Sequence, residues 1–171
     1  MEAFADLIRS RRTHKSFGPE PVPRETLAEL FDLARWAPNH HLTNPWRFRV
    51  VGPRALDALK AAAGPEAAAK LDRAPTLVVV SALQSGEDPA DDEEDLLAAG
   101  CAAYIVLLGA HARGLAGYWR TPAVLRTSEG RAALGILEGE HPIALLHLGP
   151  PRQEQPPPER APVEAVVSFL D

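Results

Sequence analysis

Cysteine is almost absent from this chain of 171 residues, in which Cys101 is the single example. One thiol cannot form an intramolecular disulfide, so a disulfide framework like that of small secreted domains is excluded. Cys101 lies within an apolar run and has no cationic neighbour in sequence, so we expect a buried, unreactive side chain. The composition fits a reducing compartment, and we expect a cytoplasmic protein.

The signatures of several common enzyme classes are also missing. The chain has no Gly-x-Gly-x-x-Gly fingerprint, no Gly-Lys-Ser/Thr phosphate loop, no Gly-x-Ser-x-Gly elbow and no His-Glu-x-x-His helix. These absences argue against the common dinucleotide-fold and hydrolase classes. His40 and His41 are adjacent, with no further Cys or His at ligand spacing, so no metal site is predicted.

Basic charge and long uninterrupted apolar runs are scarce. The formal net charge is −5, from 18 basic and 23 acidic residues, so general attraction to nucleic acid or to an anionic membrane is not expected. The acidic start at Glu2 does not look like a secretory leader. The longest apolar stretch, residues 96–112, contains two glycines and a histidine, which favours a buried core helix over a membrane span. Any anion-binding site must therefore be local.

The chain does contain enough apolar residues, 46%, to close one core, and we expect a single domain over residues 1–171. Apolar spacing and helix-stop signals predict helices near residues 4–8 and 27–34, and then over 54–63 and 89–113. Strands are predicted over residues 46–51, 76–82 and 143–148, with an irregular segment before the last strand. This order predicts an α+β or α/β sandwich in which helices cover a sheet.

Two apolar segments require cover. The helix predicted over residues 89–113 is apolar on nearly every side, so it needs partners from its own sheet or from a second subunit. Residues 150–162 are rich in proline and predict an extended surface arm. The apolar residues that follow, at 163–170, are expected to dock as a strand on the chain's own sheet or on a partner's.

The first cluster with chemical potential is basic. Residues 9–15 hold four cations within seven positions, at the end of the first predicted helix. Guanidinium groups bind phosphate oxygens in bidentate fashion, and Thr13 adds a hydroxyl donor. The other interpretation is a solvated basic face that stabilises the helix dipole. Taken alone, the cluster leaves both interpretations open.

Two further segments suit a bound organic ligand. Residues 37–46 form a polar loop that contains Asn39, His40 and His41 and ends in Asn44-Pro45-Trp46. Residues 114–122 place two glycines before Tyr118 and Trp119, which would let the backbone approach a planar ring. A plain turn into a strand has the same appearance, so neither segment decides the function by itself.

In sequence order these segments resemble the nitroreductase family of flavoproteins. The resemblance is carried by residues 11–17 (Arg-Arg-Thr-His-Lys-Ser-Phe), 36–38 with 44–46, 117–120 (Gly-Tyr-Trp-Arg), and 148–150 with 158–162. It covers almost the whole chain. It implies an α+β fold with a central, mostly antiparallel sheet flanked by helices, and an intertwined homodimer with FMN at the subunit interface.

The resemblance also implies site residues. Arg11, Arg12 and Thr13 would hold the FMN phosphate and ribityl chain, Arg160 would complete the phosphate clamp, and Lys15 would reach the pyrimidine edge. Trp36, Asn39 and His40 would meet the flavin of the partner subunit. Trp119, Arg120 and Thr121 would line the isoalloxazine ring. Asn44 stands where many members have glutamine, and His40 and His41 replace small serines.

The activity implied is reduction of an electrophilic acceptor, such as a nitroaromatic or a quinone, with hydride from NAD(P)H in a ping-pong cycle. No catalytic side chain is predicted, because in such enzymes the flavin carries the hydride chemistry. A different class remains open: a protein of the same fold that stores, senses or delivers flavin without turnover would need the same phosphate clamp.

Overall fold

The computed structural model describes residues 1–170, which form six helices and four strands within that range. The helices are α1 (Glu2–Ser10), α2 (Arg24–Ala34), α3 (Pro53–Ala63), α4 (Pro65–Ala68), α5 (Pro89–Ala112) and α6 (Ser128–Leu134). The strands are β1 (Trp46–Val50), β2 (Thr76–Leu83), β3 (Ala116–Arg120) and β4 (Glu140–Gly149). Short 3₁₀ turns occur at His40–Leu42, Ala123–Arg126 and Val163–Ala165.

The four strands form one antiparallel sheet in the order β1-β2-β4-β3. Strand β2 alternates its side chains between two cores, because successive residues of a strand point to opposite faces. Val78 and Val80 pack with α2 and α5 on one face, whereas Leu77 and Val79 pack with α3 and α6 on the other. The predicted α+β sandwich, with helices on both faces of a mostly antiparallel sheet, is confirmed.

Helix α5 is the central helix of the first face. Asp88 caps its N-terminus by accepting a hydrogen bond from the Ala90 amide at 2.8 Å, and Pro89 occupies the first turn. By length and composition alone α5 could cross a membrane, but it contacts all four strands and half of its most apolar stretch is buried. Its interpretation as a core helix of the sandwich is therefore supported.

Three expectations require correction. The segment after residue 113 is not irregular, because β3 forms the second edge of the sheet and α6 covers the other face. Of the two dockings expected for residues 163–170, a strand on the chain's own sheet is not formed within the described range, where Val166 and Phe169 are exposed, and docking on a partner's sheet stays a prediction. Cys101 is exposed rather than buried, because it lies on the side of α5 that faces away from the sheet.

Candidate functional site

The basic segment that follows α1 is fixed in place by backbone pairing. The helix ends at Ser10, and Arg11 already has an extended backbone. Thr13 forms a parallel bridge with Gly117, where the His14 amide donates to the Gly117 carbonyl at 3.1 Å. Further along, the Gly18 amide donates to the Pro150 carbonyl at 2.8 Å. The segment therefore runs beside β3 and the end of β4, so three of the segments singled out in the sequence become neighbours.

Glycine at position 117 suits this arrangement. A Cβ added there would lie 2.7 Å from a methyl group of Leu107 on α5, closer than real Cβ contacts occur. The strand can thus pass directly over the helix while its carbonyl bonds the basic segment. The close approach of Gly117 to α5 is a role that the sequence did not reveal, and the expected approach to a planar ring stays a prediction.

Arginines from the two ends of the chain line one cavity of about 460 Å³, which we call the arginine cavity. Its wall consists of Ile8, Arg9, Arg11, Arg12, Tyr104, Pro157, Pro158 and Arg160. The predicted convergence of residues 11 and 12 with residue 160 is therefore present within one chain. The prolines hold the returning arm in an extended form, which brings its arginine to the helix end.

The guanidinium groups of this cavity lack counterions within the described chain. None of Arg9, Arg11, Arg12 and Arg160 forms an ion pair among residues 1–170. Arg12 donates from Nη1 to the Arg9 and Arg11 carbonyls at 2.5 and 2.9 Å, and Arg11 lies 5.9 Å from the centre of the Tyr104 ring. Uncompensated guanidinium groups around one space suit an oxyanion such as a phosphate monoester.

The three residues expected to line the isoalloxazine ring, at positions 119–121, have side chains that point in different directions. Trp119 packs against the core on the α5 face. Arg120 turns to the opposite face, where its Nη1 donates to the Lys70 carbonyl at 3.1 Å and its guanidinium lies 6.0 Å from the centre of the Tyr118 ring. Thr121 follows the strand and is exposed. The Arg120 side chain is thus held away from the arginine cavity.

The loop with Trp36, Asn39 and His40 lies elsewhere on the same chain. His40 Nδ1 is 2.5 Å from a Glu94 carboxylate oxygen, which fixes the loop to the start of α5. A cavity of about 340 Å³ borders this loop, and it shares no residue with the arginine cavity. Leu97 in its wall is about 10 Å along the helix axis from Tyr104. One chain therefore does not bring these predicted residues together with Arg11 and Arg160.

This loop has an unusual backbone. His41, Leu42 and Asn44 all have left-handed φ values, of 47°, 54° and 49°. Two hydrogen bonds hold the turn, from the Asn44 amide to Asn39 Oδ1 at 2.9 Å and from Thr43 to the buried Asp95 at 2.5 Å. Left-handed conformations cost energy in residues with a Cβ and occur where surrounding contacts impose them, often at binding sites. Trp36, at the start of the loop, is 75% exposed.

Lys15 and Tyr104 complete the placement of site residues. Lys15 lines a third cavity, of about 450 Å³, together with Arg73 and Arg152. Tyr104 was not among the residues that the sequence predicted for the site, although its spacing from other residues of α5 could have indicated an exposed face. Leu97, Cys101 and Tyr104 recur at intervals of four and three residues and form an exposed stripe on α5.

An antiparallel sheet covered by helices on both faces, with an unpaired arginine cluster at its edge, defines an α+β sandwich with a site suited to a small oxyanion. The chain belongs to the nitroreductase family, because the sequence model of the Nitroreductase family matches residues 8–150. A relative named "Putative NAD(P)H nitroreductase YfhC", from Bacillus subtilis, is 26% identical over 92% of this chain and 89% of its own length.

Solved structures show the same fold. A nitroreductase-like family protein from Bacillus cereus superposes with a TM-score of 0.87 at 23% identity, covering 98% of this chain and 95% of its own. A protein from Desulfovibrio desulfuricans, described as a "putative nitroreductase in complex with fmn", has a TM-score of 0.81 at 24% identity over 98% and 96% of the two chains. The nitroreductase-like fold predicted from the sequence is confirmed.

Proposed function

We propose that this protein is an FMN-dependent oxidoreductase that takes hydride from NAD(P)H and reduces an electrophilic acceptor of the nitroaromatic or quinone type by a ping-pong mechanism. The observation that carries the proposal is the arginine cavity, in which Arg11 and Arg12 meet Arg160. Support also comes from relatives named as NAD(P)H nitroreductases and from a solved structure of the same fold described in complex with FMN.

The residues present fit the phosphate end of FMN. A phosphate monoester carries close to two negative charges at neutral pH, and the four guanidinium groups that line the cavity form no ion pair within residues 1–170. Thr13 is exposed beside Arg12 and can add a hydroxyl donor. Arg11 and Arg160 each offer a planar fork of N–H donors, which matches phosphate oxygens better than a single ammonium group would.

The protein's part in the chemistry is orientation and charge. When bound, FMN would supply the hydride transfer itself. Lys15 is exposed beside the bridge between Thr13 and Gly117, where its ammonium group can stabilise negative charge on a ring edge. Since the Arg120 side chain is bonded to Lys70, we assign the polar contacts of residues 119–121 to their backbone groups.

We include a homodimer in this proposal, with a binding site built from both subunits. The stripe of Leu97, Cys101 and Tyr104 leaves one side of α5 without cover in a single chain. Helix α1 buries no residue, and Phe4 on it is 59% exposed. A second copy that covers these surfaces would also let its loop with Trp36, Asn39 and His40 reach a flavin held by the first copy. A cytoplasmic location is part of the same proposal.

Two measurements test the function together. Purified protein should show the absorption spectrum of bound flavin, and NAD(P)H should bleach that spectrum in a stopped-flow experiment without acceptor. A nitroaromatic or quinone added afterwards should restore the colour. A coloured protein that neither NADH nor NADPH bleaches would support a flavin-binding protein without turnover, and a colourless protein that takes up no added FMN would contradict both functions.

A further inference from the structure

A fourth cavity lies beside the basic segment, and its volume of about 730 Å³ exceeds that of the arginine cavity. We call it the histidine cavity. Ser10, Arg12, His14 and His111 line it, with Gly114, Leu115 and arm residues 151–155. Arg11 belongs only to the arginine cavity and His14 only to the histidine cavity, whereas Arg12 contributes to both.

The wall of the histidine cavity contains buried nitrogens that lack partners. His14 is 9% exposed, and its Nδ1 has no hydrogen-bond partner within residues 1–170. Arg12 Nε is buried and equally without a partner there. A buried polar nitrogen without a partner costs free energy. Arg12 Nε always carries a proton and calls for an acceptor, and His14 Nδ1 calls for an acceptor when the imidazole is protonated there. Because Arg12 also lines the arginine cavity, His14 is the residue that points to a separate ligand.

A second imidazole stands beside the first. His111 Nε2 lies 2.8 Å from Ser10 Oγ, at the point where α1 ends beside α5. The pKa of His14 is lowered, first by burial and then by the positive charges of His111 and Arg11 nearby. A hydrogen bond with the backbone of Gln153 opposes part of this shift. Burial, Arg11 and Arg12 lower the pKa of His111. The arm contributes the cation Arg152 and the carboxylate Glu154 to the same wall.

We propose that the histidine cavity is a second oxyanion site, which binds a small dianion of phosphate type through His14, His111, Arg12 and the Ser10 hydroxyl. The ligand would supply acceptors to the unpartnered nitrogens and negative charge to a cluster dominated by cations. The site is separate from the one proposed for the FMN phosphate, because Arg11 and Arg160 do not line it. Binding also ties arm residues 152–155 to the ends of α1 and α5.

Binding of such a dianion has a consequence for protons. Neutral imidazoles are favoured in the free cavity, because burial and the neighbouring arginines disfavour added positive charge. A bound dianion favours the protonated imidazoles instead. Binding of the dianion should therefore take up protons. The affinity expressed per HPO4²⁻ should tighten as the pH falls from 8 to 6, although this form of phosphate itself becomes scarcer over the same range.

Inorganic phosphate is the probe, and it is titrated into the protein both without FMN and with excess FMN, which would fill the arginine cavity. Imidazole ¹⁵N NMR signals are followed during the titration, with His14→Gln and His111→Gln used for assignment and His141→Gln as the control. We expect saturable shifts of His14 and His111, with the His141 signals unchanged. Either His14→Gln or His111→Gln should weaken phosphate binding by about tenfold or more, since a hydrogen bond to a charged group is lost.

Any of three results would contradict the proposed site. The first is that the His14 and His111 signals do not shift up to tens of millimolar phosphate. The second is that phosphate binds to both histidine variants with the affinity of wild type. The third is that Arg11→Ala abolishes phosphate binding while the histidine variants retain it, which would place the anion in the arginine cavity. Because the signals are specific to each residue, the outcome stays separate from the question of whether the protein uses flavin.

Discussion

The sandwich formed by residues 17–150 and the two ends of the chain differ in how they are packed. The sandwich has a buried core on each face of its sheet. Helix α1 buries no residue, and none of arm residues 152–170 whose burial is described is buried. Yet the two ends supply Arg9, Arg11, Arg12 and Arg160, which are four of the eight residues of the arginine cavity.

This difference separates stability from binding. The sandwich has the contacts to hold its own shape, whereas the N-terminal end is joined to it by a backbone bond from His14 to Gly117. Substitutions in the sandwich should therefore change the free energy of unfolding. Substitutions in the ends should change ligand binding and assembly and leave unfolding almost unchanged.

The largest loss of stability is expected at Gly130 in α6. A Cβ at this position would lie 1.8 Å from the Val124 carbonyl oxygen, which is backbone and cannot rotate away. Gly130→Ala should lower the free energy of unfolding by roughly 3 kcal/mol or more, measured by urea denaturation. Gly52→Ala is the control, because nothing lies within 4 Å of the added carbon there. Equal losses in both variants would contradict the packing described for this face.

The next effect is a pH dependence at His147 in the centre of β4. This side chain is fully buried, and both ring nitrogens lack partners within residues 1–170. Burial, assisted by Arg120 and Arg73, lowers its pKa from 6.5 to about 4. Between these pH values the unfolded chain binds the proton and the folded chain does not, so stability falls as the pH falls.

The free energy of unfolding that depends on neutral His147 is fully present above pH 6.5 and is lost by about pH 4. The difference between the two pKa values corresponds to about 3 kcal/mol. His147→Leu should remove this part of the pH dependence, measured by urea denaturation between pH 4 and pH 8. It should also stabilise the neutral protein, because two unpaired buried nitrogens are removed. His141→Leu, near the start of the same strand, should keep the wild-type profile. A variant at position 147 with the same acid sensitivity as wild type would refute this account.

A smaller effect, on binding alone, is expected from the arginines at the two ends. Arg11→Ala and Arg160→Ala should each weaken FMN binding by roughly 1.5 to 3 kcal/mol, as a charged hydrogen bond is lost. Flavin fluorescence during titration measures the affinity. Arg54→Ala, an exposed arginine on α3 outside the cavity, is the matched control. Equal flavin affinity in wild type and both cavity variants would argue against the assignment.

The smallest change in stability is expected in the arm. Phe169 is 94% exposed, so Phe169→Ser should alter the unfolding of a dilute, monomeric sample by less than about 0.5 kcal/mol. We expect residues 163–170 to dock on the partner subunit, which would cover this residue in the dimer, so the variant should elute closer to the monomer in size-exclusion chromatography. Leu137→Ser, also at an exposed apolar residue, should elute like wild type. A wild-type protein that elutes as a monomer would exclude the dimer.

The fold was largely predictable because its signals are local. Apolar periodicity and proline or glycine stops located α2, α3 and α5, and β-branched runs located β1, β2 and β4. Strand β3 was placed in an irregular segment, with a turn into a strand left open, because Ala-Gly-Tyr-Trp-Arg lacks β-branched residues and begins beside the turn at Gly114. Its strand conformation comes from pairing with β4, a contact distant in sequence.

The site was predictable in composition and only partly in geometry. The motifs named Arg11, Arg12 and Arg160, and the structure places all three in one cavity. The direction of the Arg120 side chain could not be foreseen, because it depends on the Lys70 carbonyl at the end of another helical turn. The exposure of Cys101 was missed for a similar reason, since its apolar neighbours in sequence do not reveal which side of α5 faces the sheet.

The central claim is that guanidinium groups from both ends of the chain hold one phosphate. It is tested most directly by comparing the affinities of wild type and the Arg11→Ala/Arg160→Ala double variant for FMN and for riboflavin, which lacks the phosphate. The account predicts that wild type strongly prefers FMN, and that the double variant loses this preference while its affinity for riboflavin is unchanged. A wild-type protein that binds both flavins equally, or a double variant that keeps the full preference for FMN, would contradict it.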